Sequence, residues 1–415
     1  MSPEFIQFSI GALLLLHTGV ECWLNFLNSA HVRAKSGSIP EELRDTVDAA
    51  THAKSVDYSV ARLRADSLEQ IWDLLVSGVF LFSGLLPFTL RLLTGRWNDS
   101  PMILTIWLIL IGFLVSIPSI PLEWWRTFKL EARFGFNTTT MGVWLADRIK
   151  GAVLGIALGF PLLWLILKLV GWVGDYWWAW AWVVIMAFQL IMVALAPRFI
   201  LPLFNKLTPL PEGALRDRLL ALGTTTGFSA QTILVMDGSK RSRHSNAFFT
   251  GFGRFRKIVL YDTLVNQLTT EELEAVLAHE IGHYKKGHIV KMLIAGAAST
   301  LVGLAVIGFL ARSTVFLQAF GFPALQSVAP ALLIVTMVSG AATFWLSPFS
   351  HWWSRRFEYE ADAFAKTIVG SAAPLVGALK KLSEKNLANP TPHPTYSFFH
   401  YSHPTLAERL AALRA

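Results

Sequence analysis

Five residues near the middle of the chain, His279-Glu280-Ile281-Gly282-His283, have the types and spacing of a metal-dependent hydrolase. On an α-helix, positions i and i+4 share a face, so both imidazoles can meet one metal ion. Glu280 then projects beside them, placed to take a proton from water. The flanking residues predict that helix over 271–288. Thr270 is a candidate cap, Glu271, Glu272 and Glu274 suit the positive end of the dipole, and Leu273, Val276 and Leu277 give an apolar stripe.

A catalytic zinc site takes three protein ligands and keeps one open position. After His283 the candidates are His288, Glu358, Glu360, Asp362 and the histidines near the C-terminus. His288 is one residue off the i+4 spacing and reads as interfacial. Glu358 and Asp362 stand at i and i+4, so Glu358 can bind the metal while Asp362 orients a ligand histidine from behind. Spacing alone does not choose Glu358 over Glu360. Further on, His403 precedes Pro404 at the start of a last amphipathic helix. It can donate a hydrogen bond to the oxyanion of a tetrahedral intermediate. A histidine capping its own loop explains that residue equally well.

The elements that must position these groups are membrane elements. Of 415 residues, 53% are hydrophobic and only 15% charged, where a soluble globular protein carries about a quarter charged. Lysine and arginine outnumber aspartate and glutamate 36 to 28. This suits juxtamembrane positive charge, and with no basic run interleaved with aromatics it excludes a nucleic-acid surface. The single cysteine, Cys22, excludes an intramolecular disulfide and a cysteine-built zinc site.

Seven segments approach the roughly 20 apolar residues that a span needs: 5–27, 70–90, 102–122, 152–173, 177–196, 292–311 and 326–350. The first lacks a basic leader and reads as a retained span rather than a signal peptide. Pro87 and Pro118 predict kinks in the second and third. Tryptophans such as Trp124, Trp125, Trp177, Trp178, Trp352 and Trp353 flank the spans as a belt. Seven spans put Arg33 to Arg64, Arg126 to Lys150, the stretch 198–291 and everything from Arg355 on one side. The other side keeps little beyond Arg91, Arg96 and Arg312. The positive-inside rule makes the basic side cytoplasmic.

Four regions follow: a membrane region at 1–196, a cytoplasmic protease domain at 197–291, the sixth and seventh spans at 292–350, and the rest of the protease domain at 351–415. The metal-binding helix is then the foot of the sixth span, and a helical continuation of the seventh brings Glu358 to the same height. Within 197–291 a loop is expected at 209–213, a short helix at 214–223 and strands at 232–236 and 257–261. Residues 245–253 can form an edge strand holding an extended peptide by main-chain pairing. An ordinary loop fits those residue types as well.

The ordered set of motifs resembles the type I CAAX prenyl protease family of integral-membrane zinc endopeptidases. Its elements are Glu131-Ala132-Arg133-Phe134-Gly135-Phe136-Asn137, the stretch 202–210, and His244-Ser245-Asn246-Ala247-Phe248 with residues 249–251. To these add His279 to His283, the run 356–365 and His400-Tyr401-Ser402-His403-Pro404. The resemblance implies a mainly α fold: seven transmembrane helices around a water-filled chamber, with a small α+β zinc metalloprotease domain at its cytoplasmic mouth. It implies Glu358 as third ligand with Asp362 behind it. It further implies that Asn246, Ala247 and Phe248 line the substrate groove and that His403 and Arg409 approach the site. Phe248 stands where relatives often carry tyrosine, which leaves main-chain pairing untouched.

The expected activity is zinc-assisted hydrolysis of peptide bonds in peptide or protein substrates, with Glu280 as the proton acceptor. By resemblance the substrate is a prenylated C-a-a-X terminus in an endoplasmic-reticulum-type membrane. The rival is quality control of membrane proteins in a bacterial inner membrane. A non-catalytic conduit lined by Glu21, Asp73 and Lys168 is the alternative of another class.

Overall fold

A computed structural model describes residues 2–45, 47–228, 232–250, 257–323 and 327–415. The chain is mainly helical. Its membrane part begins with α1 (Pro3–Ala34), capped by the Ser2 hydroxyl with proline in the first turn. It packs along α2 (Ala49–Phe82), which Asp48 caps by accepting from the Thr51 N–H at 2.7 Å. Then follow α3 (Leu85–Trp97), α4 (Pro101–Ser116), α5 (Met141–Val173) and α6 (Trp177–Leu195).

Five helices are long and apolar enough to cross a bilayer, or six if the bent pair α2 and α3 is one span. That pair bends by 51°. The break sits at Ser83–Gly84, where Gly84 adopts φ +78°, rather than at Pro87 as the sequence suggested. A glycine there turns the chain without the clash a Cβ would bring. Past Pro118 the third span continues through a short 3-10 stretch, Ile117–Ser119, so that residues 101–134 form one long helical run. Only 17–39% of the apolar window of each of the five is buried within the protein, as helices that turn an apolar face to lipid require.

The second half carries α7 (Ala214–Thr225), α8 (Thr270–Lys285), α9 (His288–Leu310), α10 (Ala329–Thr343), α11 (Ser347–Val369), α12 (Ala373–Lys385), α13 (Pro394–His400) and α14 (Leu406–Arg414). A four-stranded sheet lies among them: β1 (Leu207–Pro209), β2 (Thr232–Met236), β3 (Ala247–Thr250) and β4 (Lys257–Tyr261), in the order β1-β2-β4-β3. β2 and β4 are parallel and match the expected strands, while β3 pairs antiparallel to β4 at the edge. Of the 245–253 segment, 251–253 lie outside the described residues, as do Gly251 of the family motif and Gln326 of the seventh expected span. β1 was not anticipated, and its last residue, Pro209, falls in the expected 209–213 loop; its pairing with β2 is a long-range contact that three residues cannot announce.

Two apolar cores match the two halves. One joins the spans around Trp107, which is fully buried and donates to Thr89 Oγ1. The other holds the sheet to α8, α11 and α12 through Ile258, Leu260, Leu277, Ile281, Ala365 and Leu375.

Candidate metal centre

The centre is a crossing of two helices. α8 begins at a capping box in which Thr269, not Thr270, accepts from the Glu272 N–H while Glu272 reaches back to the Thr269 N–H. It does not run straight into the sixth span. Gly287, at φ +68°, breaks the helix and α9 starts afresh at His288. α11 continues helically from α10, as the sequence predicted. α8 and α11 meet at Gly282, where an added Cβ would stand 3.0 Å from Ala361 Cα. A side chain there would push the two helices apart by a few tenths of an ångström or more.

That crossing brings three predicted ligands together. His279 Nε2 and His283 Nε2 face each other at 3.2 Å. Glu358 Oε1 lies 3.3 Å from His283 Nε2 and Oε2 lies 3.6 Å from His279 Nε2. Among the described residues these are the only three metal-type side chains with ligand atoms all within 4.8 Å of one another. Two ring nitrogens at this distance suit a shared cation: tetrahedral zinc with bonds of about 2.0–2.1 Å separates its ligands by ~3.3 Å. Glu358 is buried, and its Oε2 has no hydrogen-bond partner. A buried carboxylate oxygen without a donor is costly unless a cation meets it. The donor set fits a zinc ion.

Hydrogen bonds behind the ligands fix their tautomers. Asp362 Oδ1 accepts from His279 Nδ1–H at 2.8 Å, leaving the Nε2 lone pair free. Burial alone would raise the Asp362 carboxyl, but the bonds from His279 and Arg409 outweigh it and hold it below its ordinary value. Arg409 donates Nε–H to Asp362 Oδ2 at 2.8 Å and Nη2–H to Oδ1, a fork-on-carboxylate pair. Its Nη1 stands 3.6 Å from Glu358.

His288 was read as interfacial and Glu360 was left open as a ligand; the structure pairs the two behind His283. His288 is buried rather than interfacial, stacked on Phe357. Glu360 Oε2 lies 3.0 Å from its Nε2, and its Nδ1 lies 3.0 Å from His283 Nδ1. The carboxylate takes the Nε2–H, so His288 Nδ1 accepts from His283 Nδ1–H, and His283 Nε2 is left to the centre. Gly287 was the available signal, since a left-handed turn makes an i+5 histidine face back.

A cavity of about 540 Å³ opens beside the centre, with Glu280, His403 and Arg409 on its wall. Glu280 is half-buried there; desolvation pushes its carboxyl up against the pull of the two histidines. His403 is exposed, with Nε2 3.4 Å from Glu358 Oε1 and Nδ1 3.0 Å from Ser402 Oγ. Asn246, Ala247 and Phe248 line the same cavity. The Glu131–Asn137 motif steadies the approach to β3: Phe136 stacks on His244 at 4.0 Å, and Glu131 accepts from the Tyr58 hydroxyl.

Residues 28–206 match the family described as CAAX prenyl protease N-terminal, five membrane helices, and residues 209–415 match peptidase family M48. The chain belongs to the CAAX prenyl protease family. CAAX prenyl protease 1 of Saccharomyces cerevisiae is 36% identical over 405 residues, 90% of this chain and 88% of its own length. The human CAAX prenyl protease 1 homolog is 31% identical, covering 97% and 95%. The crystal structure of S. mikatae Ste24p superposes with a TM-score of 0.90 at 33% identity, over 98% of both chains. The protein is therefore a peptidase and a multi-pass integral membrane protein, acting on peptide or protein substrates.

Proposed function

We propose that the protein is a zinc endopeptidase whose ion is held by His279, His283 and Glu358. The observation that carries this is the convergence of two imidazole nitrogens on the two oxygens of one buried carboxylate, of which Oε2 accepts no hydrogen bond. When bound, zinc supplies a Lewis acid and makes water acidic enough to ionise near neutral pH. The chain's own residues do the rest. Asp362 and the His288–Glu360 pair hold the two ligand rings in the metal-binding tautomer, and Arg409 holds Asp362. Glu280, with its raised carboxyl, takes the proton from attacking water and hands it to the leaving amine. His403 donates to the oxyanion as the carbonyl becomes tetrahedral. The edge of β3, at Asn246, Ala247 and Phe248, holds the substrate as an added strand.

The substrate in this reading is a prenylated C-a-a-X terminus, the class named for the curated relatives. We further read the 141–204 run as two spans, because Gly174 turns the chain and α6 packs back on α5. With the bent pair, and with α10 as a span of its own, this makes seven, and the basic side then places the site in the cytoplasm. The spans surround a chamber; one part of it, about 590 Å³, is lined by His17, Gln70, Asp73 and Ser77.

Glu280→Gln tests the catalytic assignment. The variant should bind one zinc per chain yet cleave a farnesylated peptide at least a thousandfold more slowly, within the range for a lost general base. Cleavage at the wild-type rate would contradict it.

A further inference from the structure

α1 is a membrane helix, yet three polar residues at i, i+4 and i+7 on one face of it are buried: Glu21, Asn25 and Asn28. Unpaired, such groups are expensive away from water. Asn25 Nδ2 donates to Ser67 Oγ on α2 at 3.1 Å, an ordinary pairing between spans. The other two turn to a different part of the chain.

Asn28 is only 1% exposed. Its Oδ1 accepts from the His393 N–H at 2.9 Å and from Asn389 Nδ2 at 3.4 Å. His393 caps α13 with its own ring and packs edge-on against His31 of α1. At the other end of α13, His400 Nε2 lies 3.4 Å from Glu21 Oε2, without the alignment of a hydrogen bond. The opposite side of this strap is gripped by Arg355, which donates to the Tyr401 carbonyl at 2.7 Å from one helical turn before Glu358. Two residues after Tyr401 comes His403. Its exposed ring has Ser402 and Glu358 as its near polar neighbours, so its aim is set largely by its backbone.

The structure assigns to α1 the positioning of His403: Asn28, with Glu21 in support, docks the 389–401 strap on the first membrane helix. This rests on the oxyanion role given to His403 above. Asn28 is a positioning residue, since it lies away from the reacting atoms and acts through the strap. Misplacing a catalytic group by about 1 Å costs up to a hundredfold in rate. A docking bond that fixes the strap is therefore enough to matter.

The test uses the full-length protein in detergent, a fluorogenic farnesylated C-a-a-X peptide, and amide hydrogen exchange. In Asn28→Ala, kcat should fall roughly ten- to a hundredfold, with KM within about twofold of wild type and zinc content unchanged. Exchange across 393–403 should rise. Adding His403→Ala should cost no further activity, because the two changes remove one effect. Asn28→Asp keeps shape and acceptor, and should retain exchange protection and most of kcat. Glu21→Gln opens no cavity and should show the same pattern at smaller amplitude, which keeps the test alive if Asn28→Ala does not fold. Unchanged exchange in Asn28→Ala, or losses that multiply with those of His403→Ala, would overturn the proposal. Wild-type kcat in His403→Ala alone would remove the oxyanion role, and with it the positioning claim; raised exchange in Asn28→Ala would mark that as a failure of the reading of His403 rather than of the docking.

Discussion

The two halves of the molecule are packed to different standards. In the catalytic half, α8 and α11 approach so closely at Gly282 that a Cβ there would crowd the Ala361 backbone, and each candidate ligand ring is backed by a hydrogen-bonded carboxylate, directly or through His288. In the membrane half, most of each apolar window faces outward from the protein, and a cavity with mixed polar and apolar walls lies between the spans. Holding a metal and a proton acceptor demands placement within fractions of an ångström. Spanning a bilayer demands satisfied backbone and an apolar outer face toward lipid, which helices provide.

Gly282→Val should break this contrast most severely. The added side chain meets Ala361 backbone rather than a flexible tip, so the helices must part. Zinc should be lost from the purified protein, and peptide cleavage should fall to background. Normal zinc content in this variant would show that the crossing is not what assembles the ligands.

A gentler comparison uses one substitution in both halves. Ile281 is completely buried between the two ligand histidines, whereas Ile294 on α9 is 65% exposed. Ile281→Ala should destabilise by about 2–5 kcal/mol, the usual range for a buried isoleucine cut to alanine. Ile294→Ala should stay within about 0.5 kcal/mol. Thermal unfolding of the purified variants measures both, and equal shifts would remove the distinction between the halves.

Much of the site was readable from sequence because its parts are local or periodic. The His279–His283 pair, Glu280, the Glu358–Asp362 pair, β2, β4 and α7 rest on helix or strand spacing. What escaped depends on contacts between distant residues. Glu358 and Glu360 are two positions apart and so point to nearly opposite faces of α11. Only the placement of α8 and the start of α9 says which face meets the metal ligands and which meets His288. The Gly287 turn re-aims His288, and the spacing rule assumed a continuous helix. Asn28, just past the expected 5–27 span, carried no local signal, because its partner His393 is 365 residues away. Hydropathy picked out the long apolar helices, but the place where the α2–α3 pair bends is set by Gly84 rather than by the nearby proline.

The most direct measurement is zinc content, per chain, of Glu358→Ala and Glu360→Ala beside the wild type. The geometry predicts about one zinc in the wild type, none in Glu358→Ala, and retained but more easily chelated zinc in Glu360→Ala, since loss of an orienting partner weakens metal binding about 10- to 100-fold. Full zinc in Glu358→Ala, or its complete loss only in Glu360→Ala, would contradict the account.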